Sequence, residues 1–226
     1  MTQNEMKAEA AKAAVAEIED GMVLGLGSGT TAALAVAAIG RRVAAGLRVT
    51  GIPTSEATAK QARDLNIPLT TLAEHPTIDL TIDGADAVHT GTLDLIKGLG
   101  GALLREKIVA TASRRMIVIV DGSKLVERLG GGVRLPIEIV PFGWQATRAR
   151  LAGFVPDMVL RVRDGAPYVT DNGNYLLDCL LAIPDPAALA AQLKSITGVV
   201  DHGLFIGLAS RVIAATEQGV RILERP

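Results

Sequence analysis

Apolar stretches with the length of β-strands alternate with helix-like segments along the first 130 residues. The strand predictions are Met22–Leu26, Leu47–Ile52, Leu69–Leu72, Leu80–Ile82, Leu93–Ile96 and Met116–Val120. The near-continuous β-branched run of the last of these predicts a strand that is buried on both faces. Helices are predicted over residues 3–20, from Thr30 to about Ile39, from Ser55 to Asp64 and from about Ala102 to Ala112. Strands that alternate with helices predict an α/β fold with a Rossmann-like, mostly parallel sheet flanked by helices.

The order of elements changes after the three glycines at residues 130–132. From there the pattern predicts a strand, a helix, two strands, a helix and a strand, over Leu135–Val140, Trp144–Ala152, Met158–Val162, Val169–Leu181 with turn residues at 171–174, Pro186–Ile196 and Gly198–Phe205. This series is typical of a small ferredoxin-like α+β unit. We therefore expect residues 131–205 to form a small domain, inserted before a C-terminal hairpin of Val212–Ala215 with Val220–Leu223. Residues 1–130 and 206–226 would form the larger, Rossmann-like domain.

The composition is that of a soluble globular protein, with 49% hydrophobic and 21% charged residues in a chain of 226. The formal net charge of −1 gives no general attraction to nucleic acid or to anionic membranes, so neither is an expected partner. The apolar runs are shorter than the roughly 20 residues of a membrane helix, and the first helix-like segment lacks the apolar core of a signal peptide. Cys179 is the single cysteine and permits no internal disulfide, so we expect a cytoplasmic protein.

A glycine-rich turn, Gly25-Leu-Gly-Ser-Gly-Thr-Thr31, joins the first predicted strand to the following helix. Its free amides, the positive end of the helix dipole and the hydroxyls of Ser28, Thr30 and Thr31 suit a phosphate or another oxygen-rich group. A tight turn with a hydroxyl cap explains the same residues equally well. Nucleotide binding is disfavoured, because Thr30 replaces the third glycine of the dinucleotide fingerprint and no Walker A lysine pattern occurs.

Two aspartates, Asp83 and Asp86, flank Gly84-Ala85 directly after a predicted strand. Carboxylates at a strand end can bind sugar hydroxyls, share a proton or hold a divalent metal. Asp-Gly is also an ordinary turn signal, so a plain turn is the alternative. The three histidines, at positions 75, 89 and 202, show no metal-ligand spacing, and no metal site is predicted.

The segment Lys97-Gly-Leu-Gly-Gly-Ala-Leu-Leu-Arg-Glu-Lys107 places a lysine, three glycines and a glutamate around a predicted helix start. Lys97 and the bare amides can stabilise negative charge, and Glu106 is a movable proton site. The alternative is that both are ordinary dipole-compensating or surface charges. Arg105 and Lys107 are expected to be solvated.

Because these loops follow predicted strands, we expect them to meet at one edge of the sheet. Lys124, in the turn after the strand that ends at Val120, belongs to the same edge. Lys7 on the first helix is either a further cation of this site or a surface charge. The edge then offers amides, hydroxyls, carboxylates and lysines, without a serine or cysteine nucleophile paired with histidine. Proton-transfer chemistry on a hydroxylated, anionic small molecule is the predicted activity.

Six segments of the chain resemble type A ribose-5-phosphate isomerases. They are the Gly25–Thr31 turn, Asp83-Gly-Ala-Asp86, Lys97–Lys107, Asp121-Gly-Ser-Lys124, Leu135-Pro-Ile-Glu-Ile-Val-Pro141 and Thr170-Asp-Asn-Gly-Asn174, in family order over essentially the whole chain. The resemblance implies interconversion of ribose 5-phosphate and ribulose 5-phosphate through an enediolate, without a cofactor, in the non-oxidative branch of the pentose phosphate pathway. It also implies a homo-oligomer, with a dimer favoured.

The resemblance gives roles to individual residues. Glu106 would be the base that moves a proton from C2 to C1, with Lys97, Asp86 and Asp83 as the other catalytic groups. Asp83 would also bind sugar hydroxyls and assist ring opening. The implied substrate-binding residues are Lys7, Ser28, Gly29, Thr30, Thr31, Asp83, Gly84, Ala85, Asp86, Lys97, Gly98, Leu99, Gly100, Gly101 and Lys124.

Two positions depart from the family pattern: Ala87, where a glutamate is usual, and Leu99, at a variable position that is often glycine. Neither removes a group that the implied mechanism requires, but Ala87 leaves one negative charge fewer beside the aspartates. The alternative functions are a sugar-phosphate-sensing regulator without catalysis and a related isomerase for another sugar phosphate. A DNA-binding helix-turn-helix would need more chain than the roughly 21 residues before the first predicted strand.

Overall fold

The computed structural model describes residues 2–225. Within them, the α-helices span Gln3–Val15 (α1), Thr30–Ala44 (α2), Glu56–Asp64 (α3), Leu103–Thr111 (α4), Trp144–Leu151 (α5) and Pro186–Lys194 (α6). The β-strands span Val23–Leu26 (β1), Thr50–Pro53 (β2), Ile78–Asp83 (β3), Ala87–His89 (β4), Leu95–Ile96 (β5), Ser113–Asp121 (β6), Leu125–Val126 (β7), Leu135–Ile139 (β8), Asp157–Leu160 (β9), Val162–Arg163 (β10), Ala166–Pro167 (β11), Tyr175–Leu180 (β12), Val199–His202 (β13), Leu204–Phe205 (β14), Arg211–Thr216 (β15) and Gly219–Glu224 (β16). A short 3-10 helix, Gly122–Lys124, follows β6.

The largest sheet has the strand order β16-β15-β6-β3-β1-β2. Five of its strands run parallel, and β16 returns antiparallel as the predicted C-terminal hairpin. This arrangement confirms the α/β fold with a mostly parallel sheet. Burial of β6 on both faces is also confirmed, because Ile117 and Ile119 pack with α1 and α2 whereas Met116, Val118 and Val120 pack on the opposite face.

A second sheet, with the order β13-β8-β12-β9, is antiparallel throughout. Helix α5 follows β8 and helix α6 follows β12, which gives the β-α-β-β-α-β order predicted for this part of the chain. Ile137 and Leu177 of the sheet share one buried cluster with Leu193 of α6. The ferredoxin-like topology is therefore confirmed.

A third, smaller sheet has the order β14-β5-β4-β7 and joins distant parts of the chain. Its strand β5 pairs antiparallel with β4 and with β14, so that Leu95 lies opposite Val88 and Phe205. The sequence predicted that Leu93–Ile96 ends at the edge of the main sheet. That prediction is wrong, because β5 is a two-residue strand of this separate sheet.

Two predicted elements within the first 72 residues differ from the structure: one helix is shorter, and one strand is reduced to a single bridge. Helix α1 begins at Gln3 as predicted, behind a capping box of Thr2 and Glu5, but it ends at Val15 and does not reach residue 20. Nη1 of Arg42 donates to the carbonyl oxygen of Val15, the last residue of the helix, at 2.5 Å and to that of Ile18, beyond the helix end, at 3.1 Å. The predicted strand Leu69–Leu72 contributes one bridge to Gly51 and no strand.

The region predicted as a strand over Val169–Leu181 with turn residues at 171–174 has that turn, but its regular strand lies wholly after the turn. Thr170 donates its backbone N–H to the carbonyl oxygen of Asn174 at 2.9 Å, which closes a turn, and β12 begins at Tyr175. A small hairpin of β10 with β11, absent from the sequence predictions, precedes this loop. None of the helices within residues 2–225 is both long enough and apolar enough to cross a membrane.

Candidate active site

Loops from four parts of the chain surround one cavity of about 480 Å³. Three of them leave the carboxyl ends of the parallel strands β1, β3 and β6, and the Lys97–Gly101 turn leaves β5 of the smallest sheet. The loops therefore meet as expected, although one arrives from another sheet. The predicted residues that line the cavity are Lys7, Ser28, Gly29, Thr30, Thr31, Gly84, Ala85, Asp86, Lys97, Gly98, Gly100, Gly101, Glu106 and Lys124.

Two predicted site residues do not line this cavity. Asp83 is fully buried at the end of β3, and the side chain of Leu99 is 44% exposed on the outside of its turn. The cavity also receives residues that the sequence analysis missed, namely Ser55, Ala57, Ala102, Arg163, Tyr168 and Asp171. Asp171 lies in one of the segments that carried the family resemblance, so the sequence held a signal for it. Arg163 and Tyr168 had no such signal, because the β10–β11 hairpin was not predicted.

Lys97 lies at the centre of the buried charges. Its ammonium is 3.1 Å from Oδ2 of Asp83 and 3.4 Å from Oε1 of Glu106, and it donates a hydrogen bond of 2.5 Å to the carbonyl oxygen of Gly84. The ring of Phe205 lies 5.5 Å from the ammonium on a further side. These contacts fix the position of one positive charge between two carboxyl groups.

Burial sets the ionisation of this group of residues. It disfavours the charged form of Glu106 and raises the pKa of that carboxyl group to about 8, against the opposing effect of Lys97. Burial also raises the pKa of Asp83, again opposed by Lys97. Burial alone would lower the pKa of Lys97, but the two carboxylates outweigh it and the net shift is upward. The site thus combines a permanently charged lysine with a glutamate that gains and loses a proton near neutral pH.

Asp83 is held in place on its other oxygen. Its Oδ1 accepts hydrogen bonds from the backbone N–H groups of Ser28 and Gly84 at 3.1 and 2.7 Å. The β1 loop can approach this closely because residue 27 is glycine, since a Cβ there would lie 2.6 Å from the Cα of Asp83. Packing against Asp83 therefore explains the glycine at position 27.

The Lys97–Gly101 turn depends on glycines with left-handed backbone angles. Gly98 and Gly101 have φ values of 103° and 85°, which other residues adopt only with strain. The N–H of Gly101 donates to the carbonyl oxygen of Gly98 at 2.9 Å, and the N–H of Leu99 donates to Oδ2 of Asp86 at 2.9 Å. The turn leads directly into α4, whose first turn carries Glu106 with its side chain buried.

The opposite part of the cavity is suited to an anion. Helix α2 begins at Thr30 without a side-chain cap on its first amides, and Nζ of Lys7 lies 3.3 Å from Oγ1 of Thr30. Gln3 of α1 donates to Asp121 at 3.2 Å, which ties the start of α1 to the loop that carries Lys124. Two lysines and the positive end of a helix dipole therefore face the same space.

Residues 2–225 contain no group of three or more His, Cys, Asp or Glu side chains arranged to hold a metal ion. Asp83 and Asp86, the pair considered for this role, are engaged with Lys97 and with the Leu99 amide. The predicted solvation of Arg105 and Lys107 is wrong for Lys107, which lies largely buried against Asp201 at 2.5 Å.

Comparison with known proteins gives a consistent assignment. The sequence profile of ribose 5-phosphate isomerase A (phosphoriboisomerase A) matches residues 50–219. A ribose-5-phosphate isomerase A of Gloeobacter violaceus is 56% identical over 219 residues, which cover 96% of this chain and 95% of the relative. The chain belongs to the ribose-5-phosphate isomerase A family. A Synechococcus protein of the same name is 50% identical over 225 residues, with 98% of both chains covered.

Solved structures of the family have the same fold. The ribose 5-phosphate isomerase A of Methanocaldococcus jannaschii gives a TM-score of 0.95 at 38% identity, over 99% of this chain and 100% of the other. A D-ribose-5-phosphate isomerase in complex with phospho-erythronic acid also gives a TM-score of 0.95, at 39% identity and with 100% of both chains covered. The fold of this chain is therefore the fold of solved ribose-5-phosphate isomerases.

In this member of the ribose-5-phosphate isomerase A family, a buried glutamate holds the Thr170–Asn174 loop beside the cavity. Glu138 of β8 accepts hydrogen bonds from Thr170 Oγ1 and Asn174 Nδ2, both at 2.9 Å. The loop in turn reaches the start of helix α3, because Asp171 accepts a hydrogen bond from the N–H of Glu56 at 2.9 Å. Two of the segments that carried the family resemblance thus form one structural unit.

Arg105 fastens the same loop to α4. Its guanidinium donates to Oδ1 of Asn172 at 3.0 Å, to the carbonyl oxygen of Asp171 at 3.1 Å and to Glu56 at 2.8 Å. Arg105 directly precedes Glu106, so the helix that carries the catalytic candidate is bound to the small-domain loop on its outer side. Arg105, which was expected to be solvated, is partly so: its side chain is 32% exposed but fixed by these three hydrogen bonds.

Proposed function

We propose that this protein interconverts D-ribose 5-phosphate and D-ribulose 5-phosphate through an enediolate, in the non-oxidative branch of the pentose phosphate pathway. The observation that carries the proposal is the buried contact of Glu106 with Lys97, 3.4 Å apart in the wall of the cavity. It places a proton acceptor beside a fixed positive charge. Both are needed when an aldose becomes a ketose, because a proton leaves carbon while negative charge develops on oxygen.

In this mechanism Glu106 takes the proton from C2 of the open-chain aldose. The electron pair of the C–H bond forms the C1–C2 double bond, and the carbonyl oxygen on C1 takes the negative charge. The hydroxyl proton of O2 passes to O1. Glu106 then returns its proton to C1 while the carbonyl group forms at C2. The atoms and electrons balance, so the reaction requires no cofactor or co-reactant.

The raised pKa of Glu106 suits this role. A carboxylate whose pKa lies near 8 is a stronger base than an ordinary glutamate, and its conjugate acid still releases the proton readily. The ionised form of Glu106 starts the reaction from the aldose. Lys97 stabilises the negative charge on the sugar oxygens, helped by the amides of the Gly98–Gly101 turn.

The two aspartates have different supporting roles in the proposal. Asp86 accepts the Leu99 N–H at 2.9 Å and lines the cavity, so it can both hold the turn and contact the sugar. Asp83 is buried behind Lys97, 3.1 Å from its ammonium. This position supports a role in which Asp83 acts on the substrate through Lys97.

The phosphate group of the substrate is assigned to the end of the cavity formed by α2 and the two lysines. Backbone amides at Thr30 and Thr31 and the ammonium groups of Lys7 and Lys124 supply donors and positive charge for a dianion. Ser28 holds the loop before α2 in position, because its hydroxyl group forms hydrogen bonds with those of Thr54 and Ser55 at 2.7 and 2.8 Å.

The ligand of the related isomerase structure has matching chemistry. Phospho-erythronic acid carries a carboxylate at one end and a phosphate at the other, and it occurs in the complex of that relative. A carboxylate resembles an enediolate in having two oxygens that share negative charge. The same two ends are present in this cavity, around Lys97 and around Thr30.

The proposal is tested by the crystal structure of this protein with phospho-erythronic acid. The expected result is that the carboxylate contacts Lys97 and the Gly100 amide beside Glu106, while the phosphate contacts Thr30 and Lys124. A ligand bound in the reverse direction, or outside the cavity, would overturn the assignment of the two ends.

A related isomerase for another sugar phosphate is separated by substrate comparison. Turnover of ribose 5-phosphate should exceed that of arabinose 5-phosphate and of a six-carbon aldose phosphate at equal concentration. A higher specificity constant for either competitor would show that the chemistry is assigned correctly but the substrate is not.

We further propose that the protein is a cytoplasmic homodimer that associates through its small domain. Large apolar side chains are exposed there, including Phe142 at 93% and Val162 at 62%. Cys179 is a buried free thiol, which fits a reducing compartment. Sedimentation equilibrium measures the association state, and a Phe142→Ser variant should dissociate more readily than the natural protein.

A further inference from the structure

The catalytic turn is contacted on its outer side by an arginine of the small domain. Nη1 of Arg161 donates to the carbonyl oxygens of Gly98 and Leu99 at 3.3 and 3.0 Å. Its other two nitrogens, Nε and Nη2, bind the two oxygens of Asp178 at 2.8 and 2.5 Å. All three guanidinium nitrogens are therefore engaged, and both charged side chains are largely buried.

These two carbonyl contacts determine where the neighbouring amides point. In a trans peptide the C=O and the following N–H lie on opposite sides of the chain. Because the oxygen of Gly98 faces Arg161, the N–H of Leu99 faces away, and it is the group that donates to Asp86 at 2.9 Å. By the same geometry the oxygen of Leu99 turns the N–H of Gly100 away from Arg161, at a residue that lines the cavity.

We propose that Arg161, fixed by Asp178, is a positioning residue that keeps the Gly100 amide and the Asp86 carboxylate in place for the enediolate. The proposal rests on the isomerase function proposed above. Arg161 is not among the residues that line the cavity, so its role is not direct contact with the substrate. It acts by holding two peptide planes of a glycine-rich turn, in addition to the hydrogen bonds from Gly101 N–H to the Gly98 oxygen and from Leu99 N–H to Asp86.

A second contact from the same hairpin supports this role. The hydroxyl end of Tyr168 packs against Gly101 so closely that a Cβ at this glycine would collide with the phenol ring. The N–H of Tyr168 donates to the carbonyl oxygen of Arg161 at 2.9 Å, so the two residues lie next to each other across the hairpin. The small domain therefore contacts the turn at Gly98, Leu99 and Gly101, which are the positions flanking the Gly100 amide.

The test compares Arg161→Met, Arg161→Lys and Asp178→Asn with the natural protein. The control is Arg148→Met, which removes another arginine-to-carbonyl hydrogen bond of the small domain, to Met158 at 3.3 Å, without contacting the turn. Steady-state kinetics with ribose 5-phosphate, the Kd of phospho-erythronic acid and the Tm are measured for each variant.

Arg161→Met is expected to lower kcat by about 10- to 100-fold with KM changed less than about threefold, because the lost orientation matters most when charge develops in the transition state. Arg161→Lys should recover part of kcat, since an ammonium can still donate to one of the carbonyl oxygens. The kcat of Asp178→Asn should lie between those of Arg161→Met and Arg161→Lys. The pH at which kcat/KM rises on the acid side should not change in these variants, because none of the substitutions removes a contact of Glu106.

Equal kcat values for Arg161→Met and Arg148→Met would overturn the positioning role. So would a loss that appears in KM alone, or one that Arg161→Lys does not reduce. If Arg161→Met does not fold, the comparison of Arg161→Lys and Asp178→Asn with the control decides by the same criteria. Absence of turnover in the natural protein would overturn the isomerase function itself, whereas an active natural protein with unaffected variants overturns the role of Arg161 alone.

Discussion

Replacing Glu106 with glutamine should stabilise the folded protein above neutral pH. The carboxyl group is buried, and its pKa is raised from 4.5 to about 8. The folded state therefore binds the proton more tightly than the unfolded chain does. The stability contributed by this proton is fully present below pH 4.5 and is lost as the pH rises through the folded-state pKa. Glutamine has nearly the same shape as the protonated acid and remains neutral at every pH.

The size of the effect follows from the two pKa values. Each pH unit between 4.5 and about 8 costs the natural protein about 1.4 kcal/mol relative to the glutamine variant, up to a limit of about 5 kcal/mol. The favourable contact of ionised Glu106 with Lys97 is already contained in this pKa. Asp83 remains beside Lys97 in the variant, so the ammonium keeps one carboxyl partner.

The assay is urea unfolding between pH 5 and pH 9 at a fixed protein concentration, because association also contributes to stability. The matched control is Glu9→Gln, at an exposed position of α1. The difference between the natural protein and Glu106→Gln should increase with pH and level off above about pH 8. A difference that is independent of pH, or a natural protein that is the more stable one at pH 8, would refute the account of Glu106 ionisation.

Three further predictions concern activity and stability. The kcat/KM for ribose 5-phosphate should rise with pH until Glu106 has lost its proton, near its pKa of about 8; a profile that is flat from pH 6 upward would contradict this. Lys124→Ala should raise KM about tenfold and change kcat less than about twofold, because a phosphate contact contributes equally before and during the reaction; an unaltered KM would remove Lys124 from the phosphate end. Glu138→Ala should lower the free energy of unfolding in urea by about 2–4 kcal/mol, since Thr170 and Asn174 lose their buried acceptor; a loss below about 0.5 kcal/mol would show that the loop does not depend on it.

The parts of the site that sequence reasoning predicted are those encoded by local motifs. Turns that contain glycine and follow apolar runs identified the loops at the ends of β1 and β3. Lys97 and Glu106 were identified because they lie on either side of the glycine-rich turn before α4. Such motifs are readable because strand, turn and helix start are adjacent in the chain. The parallel order of the main sheet followed from the same alternation.

The parts that were not predicted depend on residues far apart in the sequence. Strand β5 joins a separate sheet because Leu95 pairs with Phe205, which lies more than 100 positions away. Arg161 reaches the turn from the small domain, 62 positions after Leu99. A local sequence pattern cannot indicate such pairings, since nothing in the residues around an arginine distinguishes one that is buried against a distant turn from one that is exposed on the surface. The burial of Asp83 was likewise not indicated by its own segment, because it requires Gly27, in the loop after β1, to pack against it.

The departure at Ala87 has a structural explanation. The residue is fully buried in β4 and belongs, with Ile96 and Ile137, to the apolar cluster that forms the core of the small domain. A methyl group fits this apolar position without a charge to neutralise. The nearby aspartates keep their own partners, Lys97 and the Leu99 amide, so the pattern of the site is preserved.

The central claim is that Glu106 moves the proton, and the turnover of Glu106→Gln tests it most directly. Isomerisation of ribose 5-phosphate is measured together with the Kd of phospho-erythronic acid, which shows whether the site is still formed. The account predicts that kcat falls by at least about 10³-fold while the Kd stays within about tenfold of the natural value. A pure, folded Glu106→Gln protein with turnover close to that of the natural enzyme would contradict it.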